Sequence, residues 1–123
     1  MYYGSFTNEG DVLREFAVKD FKGVIIFAVY DQDSYEGSAD VIFVEDGKFY
    51  LAHGSHCSCY GLEECWDPVE MPIQGLRRII EGGYGPIRQY AAQIETALGF
   101  VEELGLEGIP DEQVQMAIKL LYG

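Results

Sequence analysis

Basic residues are scarce in this sequence. Its 123 residues include 8 lysines and arginines against 21 aspartates and glutamates, a formal net charge of −13. Binding to nucleic acid by neutralising its phosphates needs a basic surface, so we expect no direct nucleic-acid binding. The same charge disfavours an anionic membrane surface. The acidity instead favours a basic protein partner or cations, unless it only keeps the chain soluble.

Long apolar runs and familiar catalytic motifs are also missing. The longest apolar run, Val24 to Tyr30, is far too short to span a bilayer, and no charged-then-apolar leader opens the chain. We therefore expect no membrane association and a cytoplasmic location. There is no Gly-x4-Gly-Lys phosphate loop, His-Glu-x2-His helix, nucleophile elbow or dinucleotide fingerprint. The sequence favours a non-enzymatic protein without catalytic residues, but it does not decide the point.

The residues that are present suffice for a single domain, 1–123. A chain of this length buries roughly two-thirds of the surface that its unfolded form exposes. Hydrophobic residues make up 48% of the sequence, so intrinsic disorder is not expected. The periodicity predicts an α+β fold. Its parts are a small antiparallel sheet of about three strands (24–30, 39–45 and 48–53), an N-terminal helix and three C-terminal helices.

The strongest local signal is a β-hairpin around Asp46-Gly47, a dipeptide that is typical of type I′ turns. A two-residue turn fixes the register of its strands, so Glu45 should face Lys48. Counting back along both strands then places Asp40 opposite His53. The turn chemistry thus predicts a carboxylate beside a histidine.

Helix signals mark both ends of the chain. Thr7 or Asn8 can cap a first helix that ends near Val18. After the hairpin, residues 67–70 (Asp-Pro-Val-Glu) have the pattern of a short helical turn. Three helices are then predicted: one from Pro72 to a stop at Gly82-Gly83, one from Pro86 to about Leu104, and one from Pro110.

Residues 53–67 form an unusual segment, since they contain both histidines, all three cysteines and the only tryptophan. Imidazole and thiolate are ligands that zinc prefers, although the paired arms of a typical structural zinc site are missing. Asp40 could orient His53 as a metal ligand. No cofactor is expected unless this segment binds zinc. The candidate ligands are His53, His56, Cys57, Cys59 and Cys65.

Two other interpretations of the segment remain open. Cys57 or Cys59 could be a nucleophile beside a histidine, but the surrounding carboxylates raise a thiol's pKa and oppose its activation. Alternatively the segment is structural: cysteine packs well in cores, and Leu62 and Trp66 would insert beneath the loop. We predict structural roles for Asp40, Asp46, Gly47, Gly61 and Trp66.

Residues 54–64 (Gly-Ser-His-Cys-Ser-Cys-Tyr-Gly-Leu-Glu-Glu), followed by Trp66-x-Pro68, resemble a motif of small proteins from bacteria, bacteriophages and mobile elements. The resemblance runs from the first helix to about Ile80, and it implies a bacterial host cell but no established activity. Those proteins carry a polar residue where this chain has Cys65. A four-ligand site that includes Cys65 would therefore be particular to this chain.

Charge and resemblance together favour an acidic binding protein, such as an inhibitor or accessory factor of a phage or mobile element. It would dock on a basic, nucleic-acid-handling host protein, and electrostatic steering would make that association sensitive to salt. A zinc-binding or Cys/His-dependent module is the first alternative. A self-associating protein, with a homodimer formed by the C-terminal helices, is the second. The candidate binding residues are Asp31, Asp33, Tyr35, Glu36, Tyr60, Glu63 and Glu64.

Overall fold

The computed structural model describes residues 1–33, 36–56, 61–83, 86–105 and 110–122, with the backbone alone at 33, 86, 121 and 122. The α+β class is confirmed, but the sheet has five strands, in the order β1-β2-β3-β4-β5, and is mixed because β1 runs parallel to β2. The elements are β1 (Tyr2–Gly4), α1 (Glu9–Glu15), β2 (Val24–Asp33), β3 (Glu36–Glu45), β4 (Lys48–His56), β5 (Val69–Met71), α2 (Ile73–Gly82), α3 (Pro86–Gln89), α4 (Ala91–Leu104) and α5 (Asp111–Tyr122).

The β3–β4 hairpin has the predicted turn and register. Asp46 and Gly47 have φ of 51° and 76°, and type I′ turns need positive values at both positions. Asp40 lies opposite His53, and Glu45 opposite Lys48. The turn is also tied to the last helix, because the Asp46 backbone N–H donates to the Asp111 carboxylate at 3.1 Å.

The predicted three-strand sheet is too small, because two short edge strands depend on tertiary pairing. Residues 69–71 pair with β4 as β5, so the predicted helical turn at 67–70 is wrong. The cap and proline signals favour a helical turn through local interactions only. Pairing with the open edge of β4 instead makes these residues a strand. At the other edge, β1 is extended by two bonds to β2: the Ala28 N–H donates to the Met1 carbonyl and the Ser5 N–H to the Tyr30 carbonyl.

The predicted helix 86–104 is interrupted, so within the described residues four helices, not three, follow the sheet. The break falls at Tyr90, between α3 and α4. The Tyr90 ring stacks on Tyr3 of β1 with centroids 4.4 Å apart, so the edge strand and the break support each other. The first helix is also shorter than predicted: it ends at Glu15, and Ala17 takes a left-handed φ of 54°.

The sheet separates two apolar cores. We call the side covered by α2–α5 the helical face and the side covered by α1 and residues 61–66 the motif face. Side chains alternate along β3, so Ile42 and Val44 point to the helical face and Val41 and Phe43 to the motif face. In the part of the chain that is described, no helix is long and apolar enough to cross a membrane.

One apolar feature lies outside both cores. Met116 and Leu120, one turn apart on α5, are 66% and 87% exposed. A homodimer through the C-terminal helices would cover them, and that association stays a prediction.

Candidate functional site

The two histidines belong to one strand and lie on its opposite faces. His53 and His56 are three residues apart in β4, and an odd separation in a strand sends two side chains to opposite sides. His53 binds Asp40, which lies two residues before Ile42 in β3 and therefore on the same, helical face. His56 binds Tyr30, which belongs to the core of the motif face. The sheet therefore separates the two imidazoles.

On the helical face, Asp40 and His53 form a tight pair. Asp40 is only 3% exposed, and its Oδ1 lies 2.7 Å from Nδ1 of His53, whose side chain is half exposed. Burial raises the pKa of the Asp40 carboxyl, while the hydrogen bond from His53 and its charge act in the opposite direction. Nδ1 is engaged by Asp40, and no hydrogen bond to Nε2 of His53 is found among the described residues. This geometry can orient an imidazole as a ligand or a base.

The raised pKa of Asp40 predicts how stability changes with pH. A carboxyl with a raised pKa holds its proton more tightly in the folded protein. The protein therefore loses stability as pH rises from the ordinary carboxyl pKa of 3.8 through the pKa of the folded state. We therefore expect the free energy of unfolding of the wild type, minus that of Asp40→Asn, to decrease from acid to neutral pH. Urea unfolding of both proteins across that range measures the difference. A difference that grows with pH would contradict the prediction.

On the motif face, His56 is held by Tyr30 at one end of the sheet. The Tyr30 hydroxyl lies 2.5 Å from Nε2 of His56. Gly37 is opposite His56 in the sheet, and a Cβ there would collide with Nε2. Burial raises the pKa of Tyr30, and the negative charges of Glu15, Glu63 and Cys65 raise it further. The imidazole thus lies beside a hydroxyl on which groups from two segments act: Glu15 ends α1, and Glu63 and Cys65 belong to residues 61–66.

The structure describes three of the five predicted metal ligands. His53 and His56 are divided by the sheet, and the Cys65 thiol donates to the Ser55 carbonyl at 3.6 Å. Cys57 and Cys59 lie outside the described residues. Among the residues that the structure describes, no three His, Cys, Asp or Glu side chains are grouped to hold a metal ion. The zinc site stays a prediction.

The described part of the predicted loop packs closely onto the motif face. Leu62 is fully buried, and Gly54 lies under it: a Cβ at Gly54 would be 3.0 Å from Leu62 Cδ2, 2.9 Å from Phe16 Cε1 and 2.8 Å from Cys65 Cβ. Trp66 stacks on Phe43 with centroids 5.6 Å apart. Gly61 and Glu63 also approach closely, since a Cβ at Gly61 would be 2.7 Å from a Glu63 carboxylate oxygen. This packing favours the structural interpretation of Leu62 and Trp66.

The predicted binding carboxylates that are described are all exposed. Asp31 follows Tyr30, Glu36 precedes Gly37, and Glu63 and Glu64 lie in the segment that covers the motif face. We call these four side chains the acidic end. Within the described residues none of them makes an ion pair, whereas on α2 the guanidinium of Arg77 binds Glu95 and Glu102. The remaining candidates lie outside the description: Tyr35, Tyr60 and the side chain of Asp33.

The sequence interpretation missed an aromatic pocket at the other end of the motif face. Loop residues 18–22 meet Phe43, Tyr50 and Trp66 there. The sequence could indicate only part of this pocket. The register of the Asp46-Gly47 hairpin places Phe43 opposite Tyr50, but no sequence pattern near Phe21 or Trp66 shows that they join that pair.

No protein-family model, curated protein or solved structure matches this chain.

Proposed function

We propose that this protein is a non-enzymatic binding protein whose acidic end docks on a basic surface of another protein. The partner we expect is a nucleic-acid-handling protein of a bacterial host, and the chain would act on it as an inhibitor or accessory factor of a phage or mobile element. The partner's nucleic-acid site would supply the complementary basic groove.

Four exposed carboxylates that make no ion pair within the described residues carry this proposal. Asp31 and Glu36 come from β2 and β3, and Glu63 and Glu64 from a segment far along the chain. The charge of Glu63 acts on the hydroxyl of Tyr30, so residues 61–66 approach the part of β2 that carries Asp31. Other carboxylates have basic partners: Arg14 lies 2.8 Å from Asp11 and 3.9 Å from Glu15, and Arg77 lies 3.0 Å from Glu102.

Gathering like charges without counter-charges costs free energy in the isolated protein, and a basic partner removes that cost on binding. The field of a chain with net charge −13 also steers a basic partner towards it and speeds association. Such binding is screened at high salt. The acidic end therefore predicts fast, salt-sensitive docking on a cationic surface.

Co-purification from a bacterial lysate at low and high salt tests the proposal. The tagged wild type should retain a basic protein at low salt and release it at high salt. A variant with Asp31→Asn, Glu36→Gln, Glu63→Gln and Glu64→Gln, the end variant, should retain much less of it. Retention that high salt leaves unchanged, or equal retention by the end variant, would count against the proposal.

A metal-dependent or Cys/His-dependent module remains a second candidate, and the Asp40–His53 pair favours it. A buried carboxylate that holds Nδ1 of a half-exposed histidine is a common support for a metal-bound imidazole. Elemental analysis of the purified protein separates this candidate from the first. Stoichiometric zinc that is lost in His53→Ala would support it, and metal-free protein that still binds its partner would exclude it.

A further inference from the structure

A cavity of about 270 Å³ lies on the motif face, at the end of the sheet away from the acidic end. Glu45, which ends the ten-residue strand β3, lies at its rim, so the cavity is roughly 30 Å from Glu36. Its walls are the loop between α1 and β2, the ends of β3 and β4, and the segment before β5. The lining residues that matter here are Asp20, Phe21, Phe43, Glu45, Tyr50 and Trp66.

Four aromatic rings line the cavity in two orientations. Phe43 lies between Tyr50 and Trp66, with interplanar angles of 11° and 14°. Phe21 stands across this stack, at 78° to Phe43 and 80° to Trp66. Phe21, Tyr50 and Trp66 all keep part of their surface exposed. The rings pack against one another, and the surface that Phe21, Tyr50 and Trp66 leave exposed at the cavity can stack against a planar organic cation.

The loop that closes the cavity is held in an uncommon backbone conformation. Ala17 and Asp20 have φ of 54° and 59°, in the left-handed region that non-glycine residues seldom adopt. Such residues cost free energy and persist where the surrounding structure imposes them, often at ligand sites. Here they bring Asp20 and Phe21 to the wall of the cavity.

We propose that this pocket binds an arginine side chain of the protein partner. A guanidinium is planar and stacks on aromatic faces, while its fork of N–H donors fits carboxylates such as Asp20 and Glu45. Lys19 and Lys22 also line the pocket, but both are exposed, and their flexible stems let the ammonium groups turn to solvent. Lys19 and Lys22 balance Asp20 and Glu45 in the formal charge of the lining, so the preference for a cation comes from the field of the whole chain, whose net charge is −13. This inference rests on the proposed function for its biological role, since it names the partner group.

The only tryptophan of the chain is Trp66, so its fluorescence reports directly on the pocket. We expect N-acetyl-arginine amide to change that fluorescence saturably, with a dissociation constant on the order of millimolar. The uncharged isostere N-acetyl-citrulline amide should have no effect. Asp20→Asn should weaken arginine binding by about tenfold, and asparagine tolerates the left-handed φ at this position. Glu103→Gln removes one exposed carboxylate on α4, away from the pocket and the acidic end, and should leave the constant unchanged.

The inference would be overturned by no saturable change with the arginine amide, by equal binding of the citrulline amide, or by equal weakening in Asp20→Asn and Glu103→Gln. A response to inorganic phosphate instead would assign the pocket to anions and also overturn it. The outcome is independent of the lysate experiment. Arginine binding without a captured partner would support the pocket's assignment and refute the proposed function. A captured partner without arginine binding would support the proposed function and refute the pocket's assignment.

Discussion

Replacing Leu62 with alanine is expected to lower the free energy of unfolding by about 2–5 kcal/mol. Leu62 is fully buried and belongs to the core of the motif face, so the truncation removes apolar burial and leaves a cavity. Urea unfolding of the wild type and the variant measures the change.

Leu120→Ala is the matched control. It makes the same chemical change at a side chain that is 87% exposed, and it should alter stability by no more than about 0.5 kcal/mol. If Leu62→Ala were as mild as Leu120→Ala, residues 61–66 would not be packed on the sheet. The support for the acidic end would then be lost, because Glu63 and Glu64 directly follow Leu62.

Gly54→Ala should destabilise the protein by about 1–3 kcal/mol, the usual cost of overfilling a packed core. The added methyl group would meet Cys65 Cβ at 2.8 Å and Phe16 Cε1 at 2.9 Å, and neither is the free end of a flexible chain. Either α1 or the segment above β4 must therefore move. The loss should appear in urea unfolding and as a change in the near-ultraviolet signal of Trp66, which contacts Phe16.

Gly99→Ala is expected to have the opposite effect on the free energy of unfolding. Gly99 lies within α4, and a Cβ there meets nothing within 4 Å. Alanine at this position should stabilise the protein by roughly 0.5–1 kcal/mol, because it restricts the unfolded chain and favours the helix. Equal effects at both positions would show that close packing beneath Leu62 does not constrain Gly54.

Local chemistry explains the parts of the fold that the sequence predicted correctly. The Asp46-Gly47 turn determines its own conformation and the register of nine residue pairs, from Glu45↔Lys48 to Gly37↔His56. The prediction that Asp40 lies beside His53 depended on this turn alone, and a 2.7 Å bond joins the two side chains.

The missed elements have a non-local origin. Residues 69–71 pair with β4 through Tyr50↔Glu70, a contact that a cap-and-proline pattern cannot reveal. The short strand β1 exists because β2 offers a free edge, and Gly4 permits its close approach to the Tyr30 carbonyl with φ of 66°. The break at Tyr90 has no glycine or proline of its own, and its ring packs against Tyr3 of β1.

The sequence predicted one contact of the candidate site, between Asp40 and His53, but not that the two histidines lie on opposite faces of the sheet. The sequence interpretation ended β4 at His53, so His56 was placed in an irregular loop with the cysteines. In the structure β4 continues to His56, and the alternation of a strand separates the two histidines. The extension depends on pairing with β3 at Gly37 and Ser38, where β3 itself begins three residues earlier than predicted.

The dissociation constant of the purified partner complex, measured for two charge-matched variants, tests the proposed docking surface most directly. One is the end variant. The other neutralises four exposed carboxylates elsewhere that make no ion pair within the described residues: Asp67, Glu81, Glu103 and Glu112. Docking through the acidic end predicts a constant at least about tenfold weaker for the end variant and nearly unchanged for the other. Equal weakening of both would show that net charge alone drives the association and would contradict a defined docking surface.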